Sequence, residues 1–185
     1  MIDLKYFQKE DIPQLIEWID TPDFLLQWAG LSMSFPLDRL QLEKYLENAN
    51  HAQAEVLAYK VVLSETGNTI GHISLGNINR ANGTARMCRV LIGDSKMQGK
   101  GIGKAMVNEI LKIAFNQLQL HKVSLAVFDF NISAIKLYEK QGFRIEGYIR
   151  EACRIKSEYW SFYEMSILER EWVAKNDETC KGVVQ

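Results

Sequence analysis

The sequence predicts an α+β fold, an α/β protein in the broad sense: a central mixed sheet, mostly antiparallel, with one parallel strand pair and about four flanking helices. Three observations predict it. Two strand-like runs, Glu55 to Ser64 and Thr69 to Asn79, are joined by Glu65-Thr66-Gly67-Asn68, a turn composition suited to an antiparallel hairpin. A strand, an amphipathic helix and a second strand then follow between Ala85 and Asp129, an order that pairs the two strands in parallel. Two more strand-like runs, Arg144 to Cys153 and Tyr159 to Leu168, complete the sheet.

The elements follow in order. Ile2 to Phe7 reads as the first strand, and Ile12 to Ile19 as a short helix with Pro13 in its first turn. Thr21 to Pro36 reads as irregular and aromatic, carrying Phe24, Trp28 and Phe35 around Ala29-Gly30. Asp38 can cap a helix from Arg39 to Asn48, where Leu42, Tyr45 and Leu46 share a face. After the hairpin, Ala85 to Gly93 is a strand. Gly101 to Leu118 places Ile102, Met106, Ile110 and Ala114 at helical spacing, and His121 to Asp129 returns as a strand. Asn131 is a good N-cap and Gly142 stands where a C-cap glycine belongs, so a short helix lies between them. Asn176 to Gln185 reads as a loose tail. Residues 1–172 are expected to form a single domain, with 173–185 as a C-terminal tail.

Composition narrows the function classes. The chain has 185 residues, 47% hydrophobic and 24% charged, with a net charge of −1. That balance advertises no nucleic-acid partner. The opening Met1-Ile2-Asp3-Leu4-Lys5-Tyr6 carries no apolar run of a secretory signal, and no stretch reaches membrane-spanning length. Cys88, Cys153 and Cys180 are odd in number and far apart, without metal spacing, so a reducing cytoplasm and no bound metal are expected. His51, His72 and His121 form no ligand pattern. Residues 1–60 hold ten acids against five bases, whereas residues 80–140 hold ten bases against four acids. The basic region favours an anionic ligand, and the acidic one hints at a cationic substrate.

The most informative segment is Val90-Leu91-Ile92-Gly93 followed by Gln98-Gly99-Lys100-Gly101-Ile102-Gly103-Lys104. Glycines at alternate positions strip the turn of side chains, so backbone N–H groups can converge on an anion at the positive end of the following helix. A Walker loop is excluded: Gln98 stands where its first glycine belongs, and Ala105 lacks the magnesium-holding hydroxyl. The dinucleotide fingerprint Gly-x-Gly-x-x-Gly fails as well, because Lys104 and Met106 fall at its third position.

The remaining pattern, Gln98-x-x-Gly101-x-Gly103, resembles the acetyl-coenzyme A signature of the GNAT N-acetyltransferase family. Asn131-x-x-Ala134-x-x-x-Tyr138-Glu139-x-x-Gly142-Phe143 resembles the second cofactor motif of that family, about 30 residues on. Glu146-Gly147-Tyr148-Ile149-Arg150-Glu151 is similar to its Rim-type branch, which includes ribosomal-protein and polyamine acetyltransferases. The resemblance spans residues 1–172 and is most specific between 86 and 151.

It implies transfer of an acetyl group from acetyl-coenzyme A to a primary amine, either a small cationic amine or a protein N-terminus. Transfer would be by direct attack in a ternary complex, without a metal. A non-catalytic coenzyme A-binding module is the alternative. Gln98 through Lys104 would hold the pyrophosphate. The pantetheine arm would lie between the Val90-Leu91-Ile92 strand and the 123–129 strand, which splay apart in the family. An N–H at Leu91 or Ile92 would face the thioester oxygen, and Asn131 would bind the arm or shape its helix.

Tyr138 is the candidate general acid, since a phenol with pKa about 10 is protonated at neutral pH and can donate to the leaving thiolate. Ala134, one helical turn earlier, leaves room for the thiol. Many relatives place a glutamate before the glycine loop, but Arg86-Met87-Cys88-Arg89 offers none. Glu151, Asp129 or water could take the amine proton, or the amine could arrive neutral, so no base is named. Cys88 suits packing better than an acyl-enzyme route. Trp28 and Glu151 are candidate acceptor-pocket residues, while Trp18, Trp160 and Trp172 are expected to be structural. Members of the family often dimerise, so a second copy of the chain is an allowed partner.

Overall fold

The computed structural model describes residues 1–181, with side chains to residue 177. Seven strands form one sheet: β1 (Ile2–Tyr6), β2 (Leu57–Leu63), β3 (Thr69–Asn79), β4 (Thr84–Ile92), β5 (Lys122–Phe128), β6 (Arg144–Ile155) and β7 (Glu158–Leu168). Their order is β1-β2-β3-β4-β5-β7-β6, antiparallel throughout except for β4 and β5. The single parallel pair is where the sequence order requires it, because a helix separates those strands in the chain.

Six α-helices cover the sheet rather than about four: α1 (Ile12–Trp18), α2 (Pro22–Ala29), α3 (Arg39–Leu46), α4 (Ile102–Lys112), α5 (Ile132–Gln141) and α6 (Glu169–Lys181). α4 places Met106, Val107, Ile110 and Leu111, all fully buried, against β1, β3 and β4. It ends in a wider π-type turn over Ile113–Gln117. On the opposite face, a second core gathers Phe7, Ile12, Leu15, Leu25, Trp28, Leu42 and Ala58 from α1, α2, α3 and the sheet. β2 contributes to both cores by simple alternation, with Tyr59 and Val61 on the α4 side and Ala58 on the other.

Two expectations are corrected. The segment Thr21 to Pro36 is not irregular at its start, because α2 occupies Pro22–Ala29. Thr21 caps it by accepting from the Phe24 N–H (3.2 Å), Pro22 sits in the first turn, and Gly30 ends it with φ +59°. Of the aromatic residues that suggested a loop, Trp28 is buried on the helix beside Leu25 and Leu26, Phe24 is half-buried, and Phe35 lies beyond the helix and is exposed. The expected tail from residue 173 is helical as far as Lys181, because Trp172 anchors α6 on Phe115 with ring centroids 5.5 Å apart. The rest of that tail, residues 182–185, lies outside the described residues, as does the Cys180 side chain.

β4 leaves the sheet at Gly93, which is a glycine for a steric reason. A Cβ there would fall inside the Trp18 ring at the end of α1. Trp18 thus fixes the point from which the glycine loop departs. Gly93→Ala is expected to destabilise the protein by about 2 kcal/mol or more through overpacking. The measurement is the urea unfolding midpoint, and an unchanged midpoint would mean that Trp18 moves aside without cost.

Candidate active site

The parallel pairing of β4 with β5 covers only Thr84–Arg86 against Lys122–Ser124. Beyond it β4 is bulged. Ser74 pairs with Cys88 and His72 with Leu91, which leaves Arg89 and Val90 together opposite Ile73. Arg89 takes φ +53°, a conformation unusual for a residue with a side chain. The extra residue reverses which side chains face which core: Ala85 and Met87 face the α4 core, but Leu91 faces the second core while Val90 and Ile92 pack on the first. β5 meanwhile stays paired with β7 out to Phe128. The two strands therefore diverge, and a cavity of about 470 Å³ opens between them, lined by Met87 to Val90 on one side and Leu125 to Phe128 on the other.

The bulge peptide is fixed by two side chains. The Trp28 indole N–H donates to the Arg89 carbonyl at 3.0 Å, and His72 Nδ1 lies 3.1 Å from the same oxygen. Since a carbonyl can only accept, His72 must carry its proton on Nδ1. A trans peptide sets N–H opposite C=O. The Val90 N–H is thereby aimed away from the Trp28 indole and the His72 ring, and Val90 lines the cavity. His72 is fully buried among Phe7, Trp28 and Tyr45, with ring centroids 5.0, 5.5 and 6.1 Å away. Burial lowers its pKa to about 4 despite the Arg89 carbonyl, which acts the other way, so the ring is neutral at pH 7.

The glycine loop has two designs in one motif. Gly99 and Gly101 take φ +75° and +78°, with open space where a Cβ would stand. Gly103 is needed for packing instead: its Cβ would meet Leu137 at 3.1 Å and Ile92 at 3.8 Å, where α4 approaches α5. Gly101 is the N-cap of α4, so the first N–H groups of that helix have no partners within it. Gln98, Lys100 and Lys104 are exposed around this end, beside Ile102 in the first turn.

α5 brings the second motif to the same cavity. Asn131 Oδ1 accepts from the Ala134 N–H (3.3 Å) and the Ser133 hydroxyl (3.1 Å), and Gly142 ends the helix with φ +98°. Asn131, Ala134 and Tyr138 all line the cavity. Burial raises the Tyr138 pKa to about 12, with nearby Cys88 acting in the same direction. Burial likewise raises the Cys88 pKa above its ordinary value, against the opposing pull of Arg89 and Arg86. The thiol stays protonated, and its Sγ donates to the Arg86 carbonyl at 3.5 Å.

Of the residues singled out by sequence, Val90, Asn131, Ala134, Tyr138 and Trp28 share one cavity. Leu91 is turned into the second core, Ile92 packs toward Gly103, and Glu151 is exposed on β6, its N–H donating to Ser161 Oγ at 2.9 Å. Glu151 is therefore not part of the cavity lining, and neither is Asp129, whose carboxylate accepts from the Tyr148 hydroxyl (2.8 Å). Tyr45, Arg86 and Arg89 line the cavity without having been singled out. Arg86 makes a two-armed bond to Glu164 across β5 (2.9 and 2.8 Å), a pairing over 78 positions that no local pattern could reveal.

His72 has a measurable consequence. Its folded pKa is below the 6.5 of an unfolded chain, so the unfolded state takes up a proton first as pH falls. Its contribution is full above pH 6.5 and is lost between 6.5 and 4, up to about 3 kcal/mol from this group alone. His72→Gln, which can still donate to Arg89, is expected to flatten that acid limb. Unfolding free energies between pH 7 and 4 for both proteins check it, and identical slopes would contradict it.

Comparisons with known proteins converge on one family. Residues 2–144 match the model of the acetyltransferase (GNAT) domain. The chain is 31% identical over 137 residues to the spermidine N(1)-acetyltransferase of Vibrio cholerae, covering 74% of this chain and 77% of that protein. It is 29% identical over 100 residues to the L-amino acid N-acetyltransferase AaaT of Escherichia coli, covering 54% and 62%. The fold matches the crystal structure of the Vibrio cholerae spermidine N-acetyltransferase in complex with CoA and spermine at a TM-score of 0.80, with 24% identity over 93% of this chain and 98% of that one. With the match spanning most of the sheet, and the bulge, glycine loop and α5 motif all present, the chain belongs to the GNAT acetyltransferase family.

Proposed function

We propose that the protein moves the acetyl group of acetyl-coenzyme A directly onto a primary amine held in the same cavity. The observation that carries this reading is that Val90, on a peptide held by Trp28 and His72, and Tyr138 line one cavity between β4 and β5. The residues present fit the donor: Gly99 and Gly101 leave a bare, N–H-rich turn for a pyrophosphate, and the diverging strands leave a slot for an extended arm. In this arrangement Val90 rather than Leu91 or Ile92 donates to the thioester oxygen, because its peptide is clamped from behind. That hydrogen bond strengthens as negative charge grows on the oxygen during attack.

Transfer forms a carbon–nitrogen bond and breaks the carbon–sulfur bond. Tyr138 gives its proton to the departing thiolate; its raised pKa keeps it protonated through the whole neutral range. Among the described residues no carboxylate lines the cavity, so the amine proton leaves through water or is lost before binding. Cys88, held as a neutral thiol, takes no acetyl group. A cytoplasmic location fits the unpaired thiols of Cys88 and Cys153. Self-association fits the exposed Ile145, Tyr148 and Ile149 on the edge strand β6.

Tyr138→Phe is expected to lower kcat by about 100-fold or more while leaving acetyl-coenzyme A affinity unchanged. Turnover is read as free thiol release and affinity by calorimetry; undiminished turnover would remove Tyr138 from the mechanism. Trp28→Phe deletes one of the two donors to the Arg89 carbonyl. It should reduce kcat by about fivefold, the worth of one hydrogen bond, with little change in the Michaelis constant for the donor. A change confined to that Michaelis constant would argue against the clamp.

A further inference from the structure

The charges around the acceptor side of the cavity are one-sided. Among the described residues no acidic side chain lines it, although residues 1–60, which build much of that wall, hold ten acids. Two arginines line it, and their situations differ. Arg86 is neutralised by its two-armed bond to Glu164. Arg89 has no carboxylate within ion-pair distance among the described residues. Its guanidinium carbon lies over the Tyr45 ring, 4.3 Å from the centroid, and 5.9 Å from that of Trp28. One terminal nitrogen donates to Ser32 Oγ at 3.1 Å, while Nε is buried with no hydrogen-bond partner.

Contact with two aromatic rings holds the guanidinium in place but leaves its charge unopposed by any carboxylate among the described residues. Such a preorganised fork suits a carboxylate. The backbone of the same residue supplies the carbonyl that orients the Val90 N–H, so an anion on the Arg89 side chain sits a short way from the reacting centre. A polycation would instead bring a second ammonium toward Arg89 with no acid in the lining to offset it. The cavity of about 470 Å³ must also accommodate the acetylated thiol end, which favours a small acceptor. Trp28, Phe128 and Phe162 give the remaining wall an apolar character.

We propose that the acceptor is a small primary amine with a carboxylate within a few bonds of the nitrogen, an amino acid in chemical class, and that Arg89 binds the carboxylate. This rests on the acetyl-transfer reading and narrows its substrate.

The test compares L-phenylalanine, L-methionine and β-alanine with their own carboxamides and with spermidine, as acceptors for the full-length protein. Acetyl-coenzyme A binding is first measured by calorimetry. The wild type should prefer at least one acid over its amide by about 10-fold to 100-fold in kcat/KM, and over spermidine. Arg89→Gln should bring the acid-to-amide ratio close to one, and Arg89→Lys should restore part of it; a merely structural role would lower both substrates equally. Equal use of acid and amide by the wild type, or preference for spermidine, overturns the proposal while acetyl transfer stands. Absence of acetyl-coenzyme A binding overturns the transfer reading and this proposal with it.

Discussion

The rest of the site depends on the orientation of one peptide group, that between Arg89 and Val90. A strand in a regular ladder spends its N–H and C=O groups on its neighbours, and has none left for a substrate. One extra residue in β4 breaks that pattern: the ladder to β5 stops at Arg86, and the carbonyl of Arg89 becomes available to side chains. Left alone, a bulge with a non-glycine residue at positive φ would be strained and free to relax. Trp28 from α2 and His72 from β3 hold it from one side, each with a hydrogen bond near 3 Å. The Val90 N–H then faces away from both of these partners, its orientation fixed by the fold alone.

Burial sets the protonation states in the direction this arrangement needs. Desolvation penalises whichever form is charged, so it pushes the imidazole of His72 down and the phenol of Tyr138 and thiol of Cys88 up. All three are neutral near pH 7. A charged His72 would still donate to Arg89, but it would place a second cation beside the Arg89 guanidinium in an aromatic enclosure. A neutral Tyr138 retains the proton a thiolate requires. The one strongly ionic contact at the cavity wall, Arg86 with Glu164, is internally balanced and ties β4 to β7 across β5 just where β4 and β5 begin to part.

The sequence was most legible where the backbone does the chemistry. Glycine spacing from Gly99 to Gly103 and the caps Asn131 and Gly142 are local signals, and they located the loop and α5 because glycine and N-cap residues have few other reasons to recur at those offsets. The parallel pair followed from connectivity alone. α2 was missed although Thr21, Pro22 and Gly30 mark its ends, because its aromatic content outweighed those caps. The bulge was not legible: Arg89 is a poor residue for positive φ, and only tertiary bonds from Trp28 and His72 put it there. His72, which forms no ligand pattern in the sequence, is fixed by partners that are 17 residues away for the carbonyl and remote in chain for its aromatic neighbours. Glu151 was drawn in by its place in a motif, yet β6 is an edge strand and that side chain is exposed.

α2 couples two tasks that might have been separate. Trp28 holds the bulge peptide through its indole nitrogen, while its ring also forms part of the surface on which the Arg89 guanidinium rests. Tyr45 from α3 supplies the rest of that surface and packs against His72 as well. The groups that hold the bulge peptide are therefore the same groups that frame this wall of the cavity. A substitution that reshapes this wall therefore also loosens the bulge peptide. By contrast, the donor end is built from glycine backbone and the start of α4, and shares no side chain with the wall. The side chains on this wall are thus tied to the bulge peptide, whereas the turn at Gly99 and Gly101 is built apart from it.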